Sequence, residues 1–157
     1  MSMTISISSE SIHTQDAAML LSELSSALVG ITGCSGNASF DLDDMIDSRS
    51  CFAVARDDNG IMLGCGAIRS FDTITAEMKR VYARDKNSGV GKKVVQFLEQ
   101  RAVELGYSRI ILETRIVNEK AVSFYLRNGY TIIRNYGKYV GHEEAVCFEK
   151  LFLYSFN

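Results

Sequence analysis

The stretch from Glu77 to Leu105 limits what this chain can fold into more than any other. It reads as a strand, a short turn carrying two glycines, and an amphipathic helix. Val94, Leu98, Ala102 and Leu105 recur at helical spacing, and Gly106 stands where a C-terminal cap belongs. Gly89 and Gly91 fall at the start of that helix, where backbone N–H groups have no intrahelical partner and the dipole is positive. With no Cβ in the way, a phosphate can approach this backbone closely. Lys92 and Lys93 oppose the dipole unless an anion lies between them and it, so an anionic ligand is expected here.

Two common nucleotide loops fit badly. A Walker A loop needs glycine where Lys86 stands and Ser or Thr where Lys93 stands. The dinucleotide fingerprint needs a third glycine at Val94. The run Lys86-Asn87-Ser88-Gly89-Val90-Gly91 instead resembles the Gln/Arg-x-x-Gly-x-Gly/Ala motif of the GNAT superfamily of N-acetyltransferases. Lys86 keeps the charge of the usual arginine without its planar fork. Downstream, Asn118 to Tyr130 (NEKAVSFYLRNGY) resembles that superfamily's second signature, Asn-x-x-Ala-x-x-Phe-Tyr-x-x-x-Gly-Phe/Tyr. The two occur in the family's order, with an apolar strand between them.

The resemblance implies an α/β (α+β) mixed sheet of GNAT fold over residues 1–157 as a single domain. That sheet is mostly antiparallel, has one parallel crossover and is flanked by helices. Acetyl-coenzyme A is the implied co-substrate, its pyrophosphate held by Lys86, Asn87, Ser88, Gly89, Val90, Gly91 and Lys92. By the same resemblance, Tyr82 and Ala83 pair with the pantetheine amides like an added strand, and the Val81 N–H polarises the thioester carbonyl. Asn118 can hydrogen-bond the pantetheine arm, cap the helix it begins, or do both.

Composition narrows the class. With 157 residues, 46% hydrophobic and 23% charged, the chain has the length and balance of one soluble domain. A net charge of −2 argues against nucleic acid as a partner. No apolar run approaches a membrane span, and MSMTISISSE lacks the regions of a signal peptide. A cytoplasmic protein with no membrane partner is therefore expected. Cys34, Cys51, Cys65 and Cys147 form no C-x-x-C pair, and His13 and His142 are the remaining soft ligands, so reduced thiols and no metal are expected.

The other elements follow from periodicity and punctuation. Thr4 to Ser8 alternates like a strand, and Thr14 reads as the cap of a helix with Ala17, Leu21, Leu24 and Leu28 on one face, ending by Gly30. A short helix is expected within residues 37–48, with Phe40, Leu42, Met45 and Ile46 inward. Its Asp41, Asp43, Asp44 and Asp47 form either a solvated helix start or an acidic lip for a cationic amine. Strands are expected over Cys51 to Arg56, Ile61 to Ser70 and Ile74 to Ala83, with Gly64 and Gly66 marking a bulge or a close approach of backbone. Strand Arg109 to Thr114, helix Asn118 to Asn128, strand Tyr130 to Arg134 and strand Ala145 to Phe152 complete the order.

Acetyl transfer to an amine requires removal of a proton from the amine, polarisation of the thioester carbonyl, and protonation of the leaving thiolate. Glu77 matches a glutamate that many family members use as the base, directly or through water; otherwise it is a solvent-facing glutamate paired across the strand to a lysine or arginine. Tyr125 matches the family's general acid, with an unperturbed pKa of about 10; otherwise it is a core tyrosine. Tyr136, Tyr139 and His142 either shape the acceptor pocket or pack over the sheet edge. With no cysteine at a motif position, direct transfer in a ternary complex is expected. The acceptor is expected to be a small-molecule primary amine ahead of a protein lysine or N-terminus. A non-catalytic acyl-coenzyme A sensor and a different phosphate ligand are the rival readings. The apolar end Leu151 to Tyr154 suits either a homodimer interface or a buried last strand.

Overall fold

A computed structural model describes residues 4–36, 40, 45 and 47–152. The chain runs β1 (Ser6–Ser9), α1 (Gln15–Thr32), β2 (Cys51–Arg56), β3 (Met62–Ser70), β4 (Thr75–Ala83), α2 (Val90–Glu104), β5 (Arg109–Arg115), α3 (Glu119–Arg127), β6 (Thr131–Ile133) and β7 (Ala145–Leu151), with a 3-10 turn at Gly137–Tyr139. Seven strands form one sheet in the order β1-β2-β3-β4-β5-β7-β6. All neighbours are antiparallel except β4 and β5, which are parallel because α2 carries the chain back across the sheet. This is the expected mixed α/β sheet.

Local chemistry sets the ends of the elements. Thr14 Oγ1 accepts from the Ala17 N–H at 3.0 Å and starts α1. That helix runs past Gly30 to Thr32, because the residue that stops it is Gly33, with φ 79° and its N–H on the Val29 carbonyl. Of the expected face Ala17 and Leu24 are buried, joined by Leu20, while Leu21 and Leu28 are half-buried, Leu21 against the same core. The expected helix within 37–48 lies outside the described residues, as do Asp41, Asp43 and Asp44; Phe40 and Met45 pack against the α1-side core.

Helices cover the sheet unequally. On one face α2 buries Val90, Val94, Leu98 and Ala102 over Ile68, Met78, Ile110 and Leu112, with Tyr125, Tyr130 and Phe148 completing that core. On the other, α1 seals Phe52, Val54, Cys65 and Ala67, while Tyr139, Ala145 and Cys147 form a separate small cluster. Between those two patches the same face of β4 carries Glu77 and Lys79. Both readings of the β3 glycines hold. A Cβ on Gly66 would come within 2.8 Å of Val94 Cγ1, and one on Gly64 within 2.3 Å of the Tyr82 carbonyl. The β3–β4 register also shifts there: Cys65 faces Tyr82 whereas Ala67 faces Lys79, which leaves an extra residue on β4.

Candidate active site

The parallel pairing of β4 and β5 is brief. Thr75, Ala76 and Glu77 pair with Arg109, Ile110 and Ile111, yet β4 continues to Ala83 and β5 to Arg115. The strands therefore part into a wedge, and a groove of about 930 Å³ runs through it. Val81, Tyr82 and Ala83 line one side, Glu113, Thr114 and Arg115 the other, with Gly89, Gly91, Asn118 and Tyr125 among the remaining walls.

The loop feeding α2 is set by Asp85. Its Oδ1 accepts from the Asn87 N–H at 3.0 Å, and its carbonyl takes the Ser88 hydroxyl at 2.6 Å. Gly89 then adopts φ 80° as N-cap and has no side chain to cap the helix. The Val90 N–H reaches Ser88 Oγ at 3.4 Å, and the amides that follow it in the first turn have no intrahelical partner. Next to Gly91 the nearest side chain is Phe124, 3.5 Å from where a Cβ would sit. Lys86, Asn87 and Lys92 line the same groove. This donor set suits a diphosphate: backbone N–H groups, two lysines and a helix N-terminus.

Asn118 caps α3, accepting from the Ala121 N–H at 3.4 Å, and also faces the groove. Tyr125 projects from α3 into the aromatic cluster, edge-on to Phe124 and Tyr130 with ring centroids 5.1 and 5.6 Å away. Burial raises the pKa of its phenol, and no hydrogen bond contributes to that shift.

On the opposite face the chemistry is carried by side chains. Glu77 is 3% exposed. Its Oε1 accepts from Arg69 Nε at 3.0 Å and Nη2 at 2.8 Å, Arg69 being its cross-strand neighbour. Oε2 accepts from the Tyr136 hydroxyl at 2.5 Å, and Lys79 Nζ lies 3.7 Å away. The cross-strand pairing weighed from sequence is present, but inside the protein rather than at its surface. With Phe71, Tyr136 and Tyr139, this carboxylate lines a cavity of about 330 Å³. Edge-on ring contacts join Tyr136 to Phe71 at 5.4 Å and to Tyr139 at 5.5 Å. Burial, then the neighbouring Glu77 charge, raises the Tyr136 pKa. His142 is absent from that lining; it is exposed and bonded to Glu144 at 3.0 Å.

Four charged residues were missed in the sequence. Arg69 is the partner that fixes Glu77. Lys79 donates to the Tyr139 hydroxyl at 2.9 Å, and burial pulls its pKa down to about 8 against the attraction of Glu77. Arg80 has φ 60°, a left-handed backbone uncommon outside glycine, at the extra residue of β4. Three hydrogen bonds hold it to α1 and the segment after it, on Leu21 O, Ser25 Oγ and Ser35 O. Glu113 lies on β5, and its pKa is raised chiefly by burial. Lys79 and Glu113 had a visible signal, a charged residue inside a strand; Arg80 had none.

Residues 20–130 match the model of the acetyltransferase (GNAT) family. The chain belongs to this family. It is an acetyltransferase that takes its acetyl group from acetyl-coenzyme A. An "IAA acetyltransferase" of Azospirillum brasilense is 28% identical over 141 residues, covering 87% of this chain and 91% of that protein. A Klebsiella pneumoniae protein assigned as an acyl-CoA N-acyltransferase shares the fold with a TM-score of 0.82 at 24% identity, over 96% of this chain and 99% of that one. PaiA N-acetyltransferase of Thermoplasma acidophilum, solved with coenzyme A, has a TM-score of 0.72 at 17% identity, over 96% and 100% of the two chains. Among the described residues no group of three or more His, Cys, Asp or Glu is placed to hold a metal ion, and no helix is long and apolar enough to cross a membrane.

Proposed function

We propose that this GNAT protein acetylates the primary amine of a small molecule by direct transfer, with donor and acceptor bound together. The observation that carries this reading is the meeting of groove and cavity. Lys79 lines the groove, and its amino group lies against Glu77 and Tyr139 of the cavity. Bound acetyl-coenzyme A supplies the activated acyl group. Lys86, Asn87, Ser88, Gly89, Val90, Gly91 and Lys92 bind its diphosphate at the start of α2. Val81, Tyr82 and Ala83 present the unpaired edge of β4 to its amides, the Val81 N–H polarises the carbonyl, and Asn118 steadies the pantetheine arm.

Glu77 is the base, acting through Tyr136. The acceptor nitrogen gives a proton to the Tyr136 oxygen as the phenol passes its own to Glu77 Oε2, along the 2.5 Å contact. Tyr125, kept protonated by its raised pKa, protonates the departing thiolate. Burial raises the Cys147 thiol pKa as well, which disfavours an acetyl-cysteine intermediate and supports direct transfer. A cavity of about 330 Å³ ringed by Phe71, Tyr136 and Tyr139 suits a compact amine better than a protein lysine. Free cysteines fit a reducing, cytoplasmic setting.

A thiol-release screen of acetyl-coenzyme A against amines, amino acids and peptides tests this reading, alongside thermal shifts with acetyl-coenzyme A, ATP and NAD. Release with a small amine, and stabilisation by acetyl-coenzyme A alone, are expected. Release with peptides only makes it a protein acetyltransferase. Stabilisation without release by any acceptor makes it a sensor, and stabilisation by ATP or NAD instead refutes the donor assignment.

A further inference from the structure

Glu113 sits opposite Lys79 across the wedge, each two positions beyond the last β4–β5 pair, Glu77 with Ile111. Among the described residues four buried side-chain atoms have no hydrogen-bond partner, and Glu113 Oε2 is the carboxylate among them. An ionised carboxylate oxygen held away from water without a donor is costly, so a missing donor is implied. The neighbouring cations do not supply it. Arg115 Nη1 is 3.8 Å from Oε2, beyond hydrogen-bond range, and reaches Glu144 at 3.2 Å. Lys79 directs its amino group to Tyr139.

Its setting differs from that of Glu77. Arg69, Tyr136 and Lys79 already surround Glu77, whereas Glu113 lines the groove and its buried Oε2 has no hydrogen-bond donor. We propose that Glu113 is the binding residue for the ammonium group of the acceptor, selecting amines that are cationic at neutral pH. Its Oε2 takes one N–H of the incoming ammonium and holds the nitrogen at the mouth of the wedge, where the base can take over. The inference rests on the acetyl-transfer reading of the groove.

The experiment is thiol-release kinetics with tyramine and spermidine, cationic at pH 7, and with hydroxylamine, neutral there. Glu113→Gln should raise the KM of the cationic amines about tenfold, the loss of one charge-assisted hydrogen bond. The hydroxylamine KM and the acetyl-coenzyme A thermal shift should stay within about twofold, which a general packing defect would not allow. If Glu113→Gln does not fold, Glu113→Asp decides: it keeps the charge at a shorter reach, so only the cationic acceptors should weaken, by roughly severalfold. Equal loss for hydroxylamine, or an unchanged KM for the cations, overturns the proposal while leaving the transfer reading intact. No turnover of any amine by the unaltered protein overturns both.

Discussion

On the α2 side of the wedge the groove is walled largely by main chain: the loop at 85–89, the first amides of α2 and the β4 edge at Val81 to Ala83. On the opposite face the walls are side chains brought from β3, β4 and the turn before β7, tied by ion pairs and hydrogen bonds around Glu77. The first surface offers generic donors to a cofactor and depends on backbone shape. The second is a mutually compensated network in which each group satisfies another. Substitutions should therefore act differently on the two. A change on the donor side should weaken binding while sparing the fold; a change in the network should disturb both chemistry and stability.

The largest expected effect is that of Glu77→Gln. Loss of the base should lower kcat/KM about a hundredfold or more and flatten the acidic limb of its pH profile. Leaving Arg69 and Lys79 without their carboxylate should also cost about 3 kcal/mol in denaturant unfolding. Acetyl-coenzyme A affinity should hardly change. An unaltered pH profile would move the base elsewhere and erase the contrast between the faces.

Lys79 gives the next largest. Its pKa of about 8 lies below the ordinary 10.5, so the unfolded chain holds this proton more tightly than the folded one. Its contribution to stability is then least favourable below pH 8 and improves as pH rises toward 10.5, by at most on the order of 3 kcal/mol. Unfolding measured across that range should show the rise, and Lys79→Met should flatten it. A flat profile in the unaltered protein would mean that Lys79 is better hydrated than its burial implies.

Tyr125→Phe should lower kcat about tenfold and leave coenzyme affinity alone, the signature of a lost acid. A pure loss of affinity would make Tyr125 a packing residue. The smallest effect belongs to Gly91→Ala. Its added methyl meets Phe124 at an ordinary 3.5 Å, so the melting temperature should hold. A phosphate approaching that backbone should nevertheless be hindered, raising the dissociation constant of acetyl-coenzyme A about fivefold. Unchanged affinity would show that the diphosphate stays clear of Gly91.

The same contrast explains what could be read before the fold was known. The donor side is local: Gly89, Gly91 and the α2 periodicity each lie within a few residues of what they control. The acceptor side depends on register. Arg69 meets Glu77 only because the β3–β4 hairpin pairs them, and Tyr136 reaches Oε2 from 59 residues away. Arg80 interrupts the alternation of β4 by an added residue, which puts Lys79 and Arg80 on the α1 face together. No apolar pattern announces that slip, because neither residue is apolar. Glu113 reads only as a charge ending an apolar run; its buried oxygen without a hydrogen-bond donor exists once β5 has opened from β4.

The most direct measurement is a crystal structure with acetyl-coenzyme A bound. Diphosphate oxygens should lie about 3 Å from backbone nitrogens at the start of α2, and the thioester should enter the wedge with Tyr125 beside its sulfur and the Glu77–Tyr136 pair across from the acyl group. A diphosphate seated away from Gly89 and Gly91, or a thioester that stays outside the wedge, would contradict this account.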